Sequence, residues 1–207
     1  VGSEMCIRDR IVLTMTGLLI LCGAVGFFLL EFNNPETMGD MNLLEKMTAS
    51  LFQSVTTRTA GFATVPQGDL RESSKLLGCM LMFIGGSPAG TAGGVKTTTI
   101  AMLLLTVLCV LKNKRDTECF ARKIDNNIVR SGITITMITL IFLMSGITAL
   151  TIFEPGIDFL DLTYEAASAM GTVGLTADLT PILSRGSHVI LMILMYCLLY
   201  TSDAADD

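Results

Sequence analysis

The sequence predicts an all-α membrane protein made of two consecutive units, each a span, a short re-entrant helix and a second span. Three observations predict it. Uncharged runs are long enough to cross a bilayer, one apolar run is broken at its centre by a Gly-rich string, and the same order of segments returns 113 residues later. Of the 207 residues, 51% are hydrophobic and 16% charged. A soluble domain carries about 25% charged residues, so a water-soluble α-helical core is the poorer reading. The mean hydropathy is +0.62.

The first element is Ile11–Leu30, 20 residues without a charge. At about 1.5 Å per residue that length crosses a hydrocarbon layer of about 30 Å. An acidic loop follows with Glu31, Glu36, Asp40 and Glu45. The segment LLEKMTASLFQSV (43–55) is too short to span and leads into TTRTAGF, which fits neither a helix nor a strand period. From Leu76 to Leu111 the chain is apolar again, with Lys96 its single charge. A straight helix of that length would measure about 54 Å, too long for one crossing. Its centre, GGSPAGTAGG, holds five glycines and a proline in ten residues, so the expectation is two helical pieces around an irregular segment.

The stretch 112–130 has six bases against three acids. It is a linker assigned to the cytoplasm, because Lys and Arg in short loops mark the inner side. Ser131–Phe153 is the next uncharged span, FLDLTYEAASAM (159–170) the second short segment, GTVGLT the second Gly loop, and a last apolar run starts near Val189. Aligning Gly61 with Gly174 puts Thr59 opposite Thr172 and Phe62 opposite Leu175. The loops 31–46 and 154–161 are acid-rich and fall outside, so both short helices enter from and return to the outer face.

Irregular backbone is tolerated at membrane depth only where it is buried in protein or lines water. Rings of backbone carbonyls replace the hydration shell of K⁺ in known filters. Each short helix would turn its partly negative C-terminal end toward its loop, which favours a cation. The candidate ion filter is therefore Thr59, Ala60, Gly61 and Phe62 with Thr172, Val173, Gly174 and Leu175, and a cation is expected at the carbonyls of Gly61 and Gly174. Two such loops supply half of a pore with pseudo-fourfold symmetry.

The remaining candidates are weighed against structural roles. Lys96 reads either as a gate element or as a lysine reaching for the inner interface. Thr97, Thr98 and Thr99 either cap the inner half of the broken helix or line a pore. Arg58, three residues before Gly61, is expected to turn out of the filter toward Asp69 or Glu72, because a cation there would repel cations. GTAGGVKTTT is no phosphate-binding loop, since Val95 separates the glycines from Lys96 and no strand precedes it. The six cysteines lack metal or disulfide spacing. No cofactor and no catalytic set is indicated. The formal charge of −5 contains no basic face for nucleic acid.

Together SVTTRTAGFATV, LMFIGGSPAGTAGGVKTTT and SAMGTVGLT resemble the third and fourth repeats of the Trk/Ktr/HKT potassium transporter superfamily, and within it the bacterial Ktr (KtrB-like) membrane subunits. The resemblance covers residues 11 to 196. It implies four M1–pore helix–M2 repeats with one filter glycine each, two of which map onto Gly61 and Gly174, and K⁺ as the cation at their carbonyls. It also implies an intramembrane gating loop in a broken M2, here Gly85 to Thr99, with Gly85, Gly86, Ser87, Pro88, Gly90, Gly93, Gly94 and Lys96 as its residues. It further implies a homodimer in the membrane lipid of a bacterial inner membrane, a cytoplasmic nucleotide-binding RCK ring, and Na⁺ as a stimulating ion. On this reading 11–111 is the third repeat, 131–196 a truncated fourth, and the N-terminal half of the chain is missing. VGSEMCIRDR (1–10) and CLLYTSDAADD (197–207) fit nothing beside them and read as non-native translations of adapter DNA. The family's Gly-Arg-x-Gly-Pro-like stretch in the last M2 has no counterpart here. The runner-up is an ion-coupled secondary transporter with a midplane site in broken helices; its repeats are often inverted, whereas these two share one orientation.

Overall fold

The structure is a computed structural model and describes residues 2–86, 93–112, 118–119, 122–123 and 126–203. The long helix α1 (Gly2–Glu31) is followed by the short α2 (Leu43–Thr56), then α3 (Glu72–Phe83) and α4 (Thr97–Leu111). A two-residue antiparallel pair, β1 (Glu118–Cys119) and β2 (Arg122–Lys123), lies within the basic linker. Helices α5 (Asn126–Phe153), α6 (Phe159–Met170) and α7 (Arg185–Asp203) complete the chain. The order long helix, short helix, loop, helix is thus met in α1–α2–α3 and again in α5–α6–α7.

Among the described residues two segments are long and apolar enough to cross a membrane, Asp9–Glu31 and Val129–Phe153. The apolar run 76–111 is broken as its glycines and proline require. Its pieces α3 and α4 have 12 and 15 residues, about 18 and 22 Å of helix, so neither crosses alone. Helices α1 and α5 begin at Gly2 and Asn126, ahead of the uncharged spans that start at Ile11 and Ser131, and α3 and α7 also begin earlier than hydropathy suggests. Helix α3 starts at Glu72, not Leu76, and its first turns carry Lys75, whose ammonium lies 2.5 Å from Asp161 of α6. Helix α7 starts at Arg185, where Glu154 gathers its first turn: the Ser184 N–H and the Ser187 hydroxyl each donate to Glu154 Oε1 at 2.7 Å. Those bonds hold the Glu154 carboxyl below the usual carboxylate range.

Helix α6 is the centre of the packing, against α3, α5 and α7. Its small residues Ala166, Ala167, Ser168 and Ala169 are all buried and let three neighbours approach. On one side it meets Leu143, Ile147 and Leu150 of α5 with Leu191 and Leu194 of α7. On the other, Tyr164 and Ala167 pack with Cys79, Met82, Val173 and Leu175. Helix α2 packs on α1, and the Ser54 hydroxyl donates to the Ile20 carbonyl at 2.8 Å. The interior holds Gln53, Tyr164, Glu165 and Ser168, whereas Leu13, Leu18, Leu21, Val25 and Leu29 of α1 are exposed. An apolar outside around a partly polar inside is the distribution a lipid environment selects.

The Lys75–Asp161 pair joins α3 to α6, and its side chains are only 9% and 22% exposed. Removing one partner strands a largely desolvated charge. Lys75→Ala and Asp161→Ala are each expected to lower stability by about 1–3 kcal/mol. The double variant should lose less than the sum, as read from thermal unfolding in detergent in a double-mutant cycle.

Candidate functional site

Both Gly loops leave their short helices in the same backbone conformation. Thr57 and Gly171 end α2 and α6 in right-handed geometry. Two β-branched residues then take positive φ, Thr59 at 67° and Thr172 at 51°. Gly61 and Gly174 follow at 74° and 87°. Threonine in that region is a backbone outlier of about 1–3 kcal/mol, of the kind found at ligand clamps. Its occurrence twice, two residues before each glycine, puts the predicted pairs Thr59/Thr172 and Gly61/Gly174 in matching conformations.

The hydrogen bonds explain how the strain is held. Ala60 and Gly61 donate their N–H groups to Thr56 O, each at 3.3 Å. The Thr56 hydroxyl clasps Phe62 twice, accepting from its N–H at 2.8 Å and donating to its carbonyl at 2.6 Å. In the second loop Thr172 N–H donates to Ala169 O at 3.2 Å and Val173 N–H to Ser168 O at 2.9 Å. The amides therefore turn back onto the helices. Among the described residues no donor reaches the carbonyls of Thr59, Ala60, Gly61, Thr172, Val173 or Gly174.

The two loops meet. A Cβ on Gly61 would overlap the Val173 carbonyl oxygen, and one on Gly174 would lie 3.9 Å from Gly61 Cα. Leu175 and Phe62, opposite in the alignment, differ in surroundings: Leu175 is buried in the α3–α6 core and Phe62 is 70% exposed.

The broken segment closes on itself and onto both loops. Val95 N–H donates to Phe83 O at 3.0 Å and Thr97 N–H to Gly86 O at 3.2 Å. Gly85 packs so tightly on Gly93 and Gly94 that a Cβ at Gly94 would lie 2.8 Å from Gly85 Cα. Gly93 N–H donates to the Thr172 hydroxyl at 2.9 Å, tying this neck to the second loop. Arg58 ties it to the first: its guanidinium donates to Gly85 O at 3.5 Å and to Thr16 O of α1 at 3.3 Å. Arg58 thus leaves the filter as expected, but for carbonyls and not for Asp69 or Glu72. Gly85 lies just past the end of α3, where carbonyls without a helical partner are at hand. Lys96 occupies the N-cap position of α4 and is half-buried. Thr97 does not cap α4; it closes the neck through Gly86. Ser87, Pro88 and Gly90 lie outside the described residues.

Glu165 and Gln53 were not singled out in the sequence. Both are buried on the short helices and bond to the chain just beyond each loop. The usable signal was a carboxylate in a run otherwise free of charge, 162–177, followed by Thr176 and Thr180.

Two glycine loops whose carbonyls meet no donor among the described residues, beside a broken helix, form an arrangement suited to a cation. The family model "TrkH: Cation transport protein" matches residues 9–197, and the chain belongs to that family, one of transporters and not of enzymes. It is 38% identical over 190 residues to Ktr system potassium uptake protein B of Bacillus subtilis (strain 168), covering 92% of this chain and 42% of the relative. To the Ktr system potassium uptake protein B of Vibrio alginolyticus it is 34% identical, covering 91% and 41%. To potassium/sodium uptake protein NtpJ of Enterococcus hirae (strain ATCC 9790) it is 33% identical, covering 94% and 44%. The chain thus spans about two fifths of the length of these curated relatives. The potassium transporter TrkH from Vibrio parahaemolyticus shares its fold, with a TM-score of 0.73 at 20% identity over 94% of this chain and 42% of that one.

The glycines should differ in tolerance. Gly174→Ala meets only an ordinary contact with Gly61 Cα at 3.9 Å and adds the strain of φ 87°, about 1–2 kcal/mol. Gly61→Ala adds overlap with Val173 O and is expected to lower the unfolding midpoint further. The comparison is made by thermal unfolding of the two variants side by side.

Proposed function

We propose that this chain forms half of a membrane pore that takes up K⁺. The observation that carries the reading is the pair of loops whose N–H groups fold back while six carbonyls accept no described donor. Carbonyls so released can replace water around a cation. The C-terminal ends of α2 and α6 supply partial negative charge at the same place. Thr59, Ala60, Gly61 and Phe62 with Thr172, Val173, Gly174 and Leu175 are the filter segments, contributing backbone; K⁺ binds at the carbonyls of Gly61 and Gly174. The relatives named for potassium uptake, and one for potassium and sodium, support K⁺ as cargo with Na⁺ as a second ion.

In this reading 11–111 and 131–196 are two M1–pore helix–M2 units joined by the cytoplasmic linker 112–130, with α2 and α6 as pore helices. A second pair of units completes the pore, since two loops cannot encircle an ion. The assembled protein is a homodimer in a bacterial inner membrane, regulated by a cytoplasmic nucleotide-binding RCK ring. The segment Gly85–Thr99 is the gate. Its neck is bonded to both filter loops, through Arg58 and Thr172, so neck and filter move together.

Two measurements test this in the complete protein carrying the segment. Gly174→Ser is expected to reduce the preference for K⁺ over Na⁺ in competitive uptake by about tenfold, which is about 1.4 kcal/mol; an unchanged ratio sinks the filter assignment. Deleting 87–92 while keeping the neck pairs should raise K⁺ flux at a fixed gradient. Lower flux with normal membrane insertion would make the segment a structural strut.

A further inference from the structure

Each short helix carries one buried polar side chain that reaches the chain just past its glycine loop. On α2 this is Gln53, fully buried. Its amide donates to Gln67 Oε1 at 2.5 Å and accepts from Gln67 Nε2 at 3.2 Å. Gln67 also donates to Val65 O at 2.7 Å and accepts from the Tyr164 hydroxyl of α6 at 2.8 Å. On α6 it is Glu165, 4% exposed. Its Oε1 accepts from the Thr176 hydroxyl and from Ala177 N–H at 3.0 Å, and its Oε2 faces the Thr180 hydroxyl at 3.2 Å. Thr180 and Thr176 share a further bond at 2.9 Å. Gln67 and Thr180 each stand six residues after their glycine, Gly61 and Gly174.

Gln53 and Glu165 stand eight and nine residues before their glycines, so the equivalence is one of role and chemistry. A buried carboxylate or carboxamide is tolerated only when its partners are supplied, and here they come from the loop's own return strand. Gly174 therefore sits between two anchors, the clasp of Glu165 on 176–180 and the burial of Leu175 in the α3–α6 core. Gly61 sits between Thr56, which clasps Phe62, and Gln53, which holds Gln67.

We infer that Gln53 and Glu165 are paired positioning residues that fix the outer ends of the two loops and so set their discrimination between monovalent cations. The inference rests on the filter reading above. Discrimination by carbonyls needs coordinating groups held to about 0.5 Å, which requires support behind the loop. Glu165 acts through shape and hydrogen bonding: the ring Glu165–Thr176–Thr180 closes equally with an amide at 165, whose Nε2 would donate to Thr180.

The test uses the complete protein carrying this segment, expressed in cells without K⁺ uptake of their own, with membrane amount followed by immunoblot. Glu165→Ala is expected to lower the K⁺/Na⁺ uptake ratio by about tenfold, with Glu165→Gln within about twofold of the unmodified protein and Thr180→Val between them. A general packing defect would be read as less protein in the membrane, and the isosteric amide would not restore the ratio selectively. Glu165→Ala inserted normally with an unchanged ratio overturns the inference. So does Glu165→Gln as damaging as Glu165→Ala, since charge and not geometry would then act. If Glu165→Ala fails to insert, Thr180→Val decides, and an unchanged ratio there overturns the inference. Gly174→Ser runs alongside: if it too leaves the ratio unchanged the filter reading has failed, whereas a lowered ratio there with none in Glu165→Ala fails the clasp alone.

Discussion

Backbone that leaves a helix within a lipid layer has no water to bond with, so each N–H and C=O must find its partner inside the protein or face an aqueous path. Most of this chain avoids the problem by staying helical. Residues 57–62 and 171–175 do not, and they resolve it asymmetrically. Most of their amides fold back onto the short helices, and, apart from the Phe62 carbonyl held by the Thr56 hydroxyl, their carbonyls take no described donor. Much of the surrounding architecture can be traced to sustaining that asymmetry. The left-handed threonines, the tight meeting of Gly61 with Val173 and the Thr56 clasp are local parts of it. The packing of α3 and α7 around α6 is its wider support.

The neck of the broken helix obeys the same constraint by different means. Phe83–Gly86 and Gly93–Thr97 satisfy one another's backbone groups, and the close contact of Gly85 with Gly94 leaves no space for a side chain. What remains is shared with the loops, one bond from Arg58 and one to Thr172. On the proposed reading a conformational change in the neck has to break bonds to both filter loops. That makes the resting arrangement cooperative, because loosening one tether weakens the geometry that supports the other.

Much of this was legible in the sequence where one physical signal dominated. Uncharged length marked α1 and α5, and the clustered glycines with Pro88 marked the break between α3 and α4. The short segments 43–55 and 159–170 matched α2 and α6 almost residue for residue, since Asn42 with Glu45, and Asp158 before an apolar run, are N-terminal signals. The starts of α3 and α7 were misplaced because Lys75 and Arg185 look like loop residues until Asp161 and Glu154 are known to stand nearby. Arg58 was assigned the wrong partners for a related reason. Carboxylates are visible in a sequence, whereas the orphan carbonyls of a broken helix appear only once the break is folded. Gln53 and Glu165 were missed because their partners lie 11 to 15 residues away on returning chain that no periodicity connects to them.

The enclosure of α6 has a consequence for how the chain is made. Its polar and small-residue faces, with Glu165 and Ser168 among them, suit contact with α3, α5 and α7 but not with lipid. While synthesis has passed Met170 and not yet reached Arg185, one wall of its berth does not exist. The segment must then wait at the membrane surface or lean on α3 and α5 until α7 emerges. Assembly of this segment is therefore ordered: α6 settles only when α7 arrives to close over it.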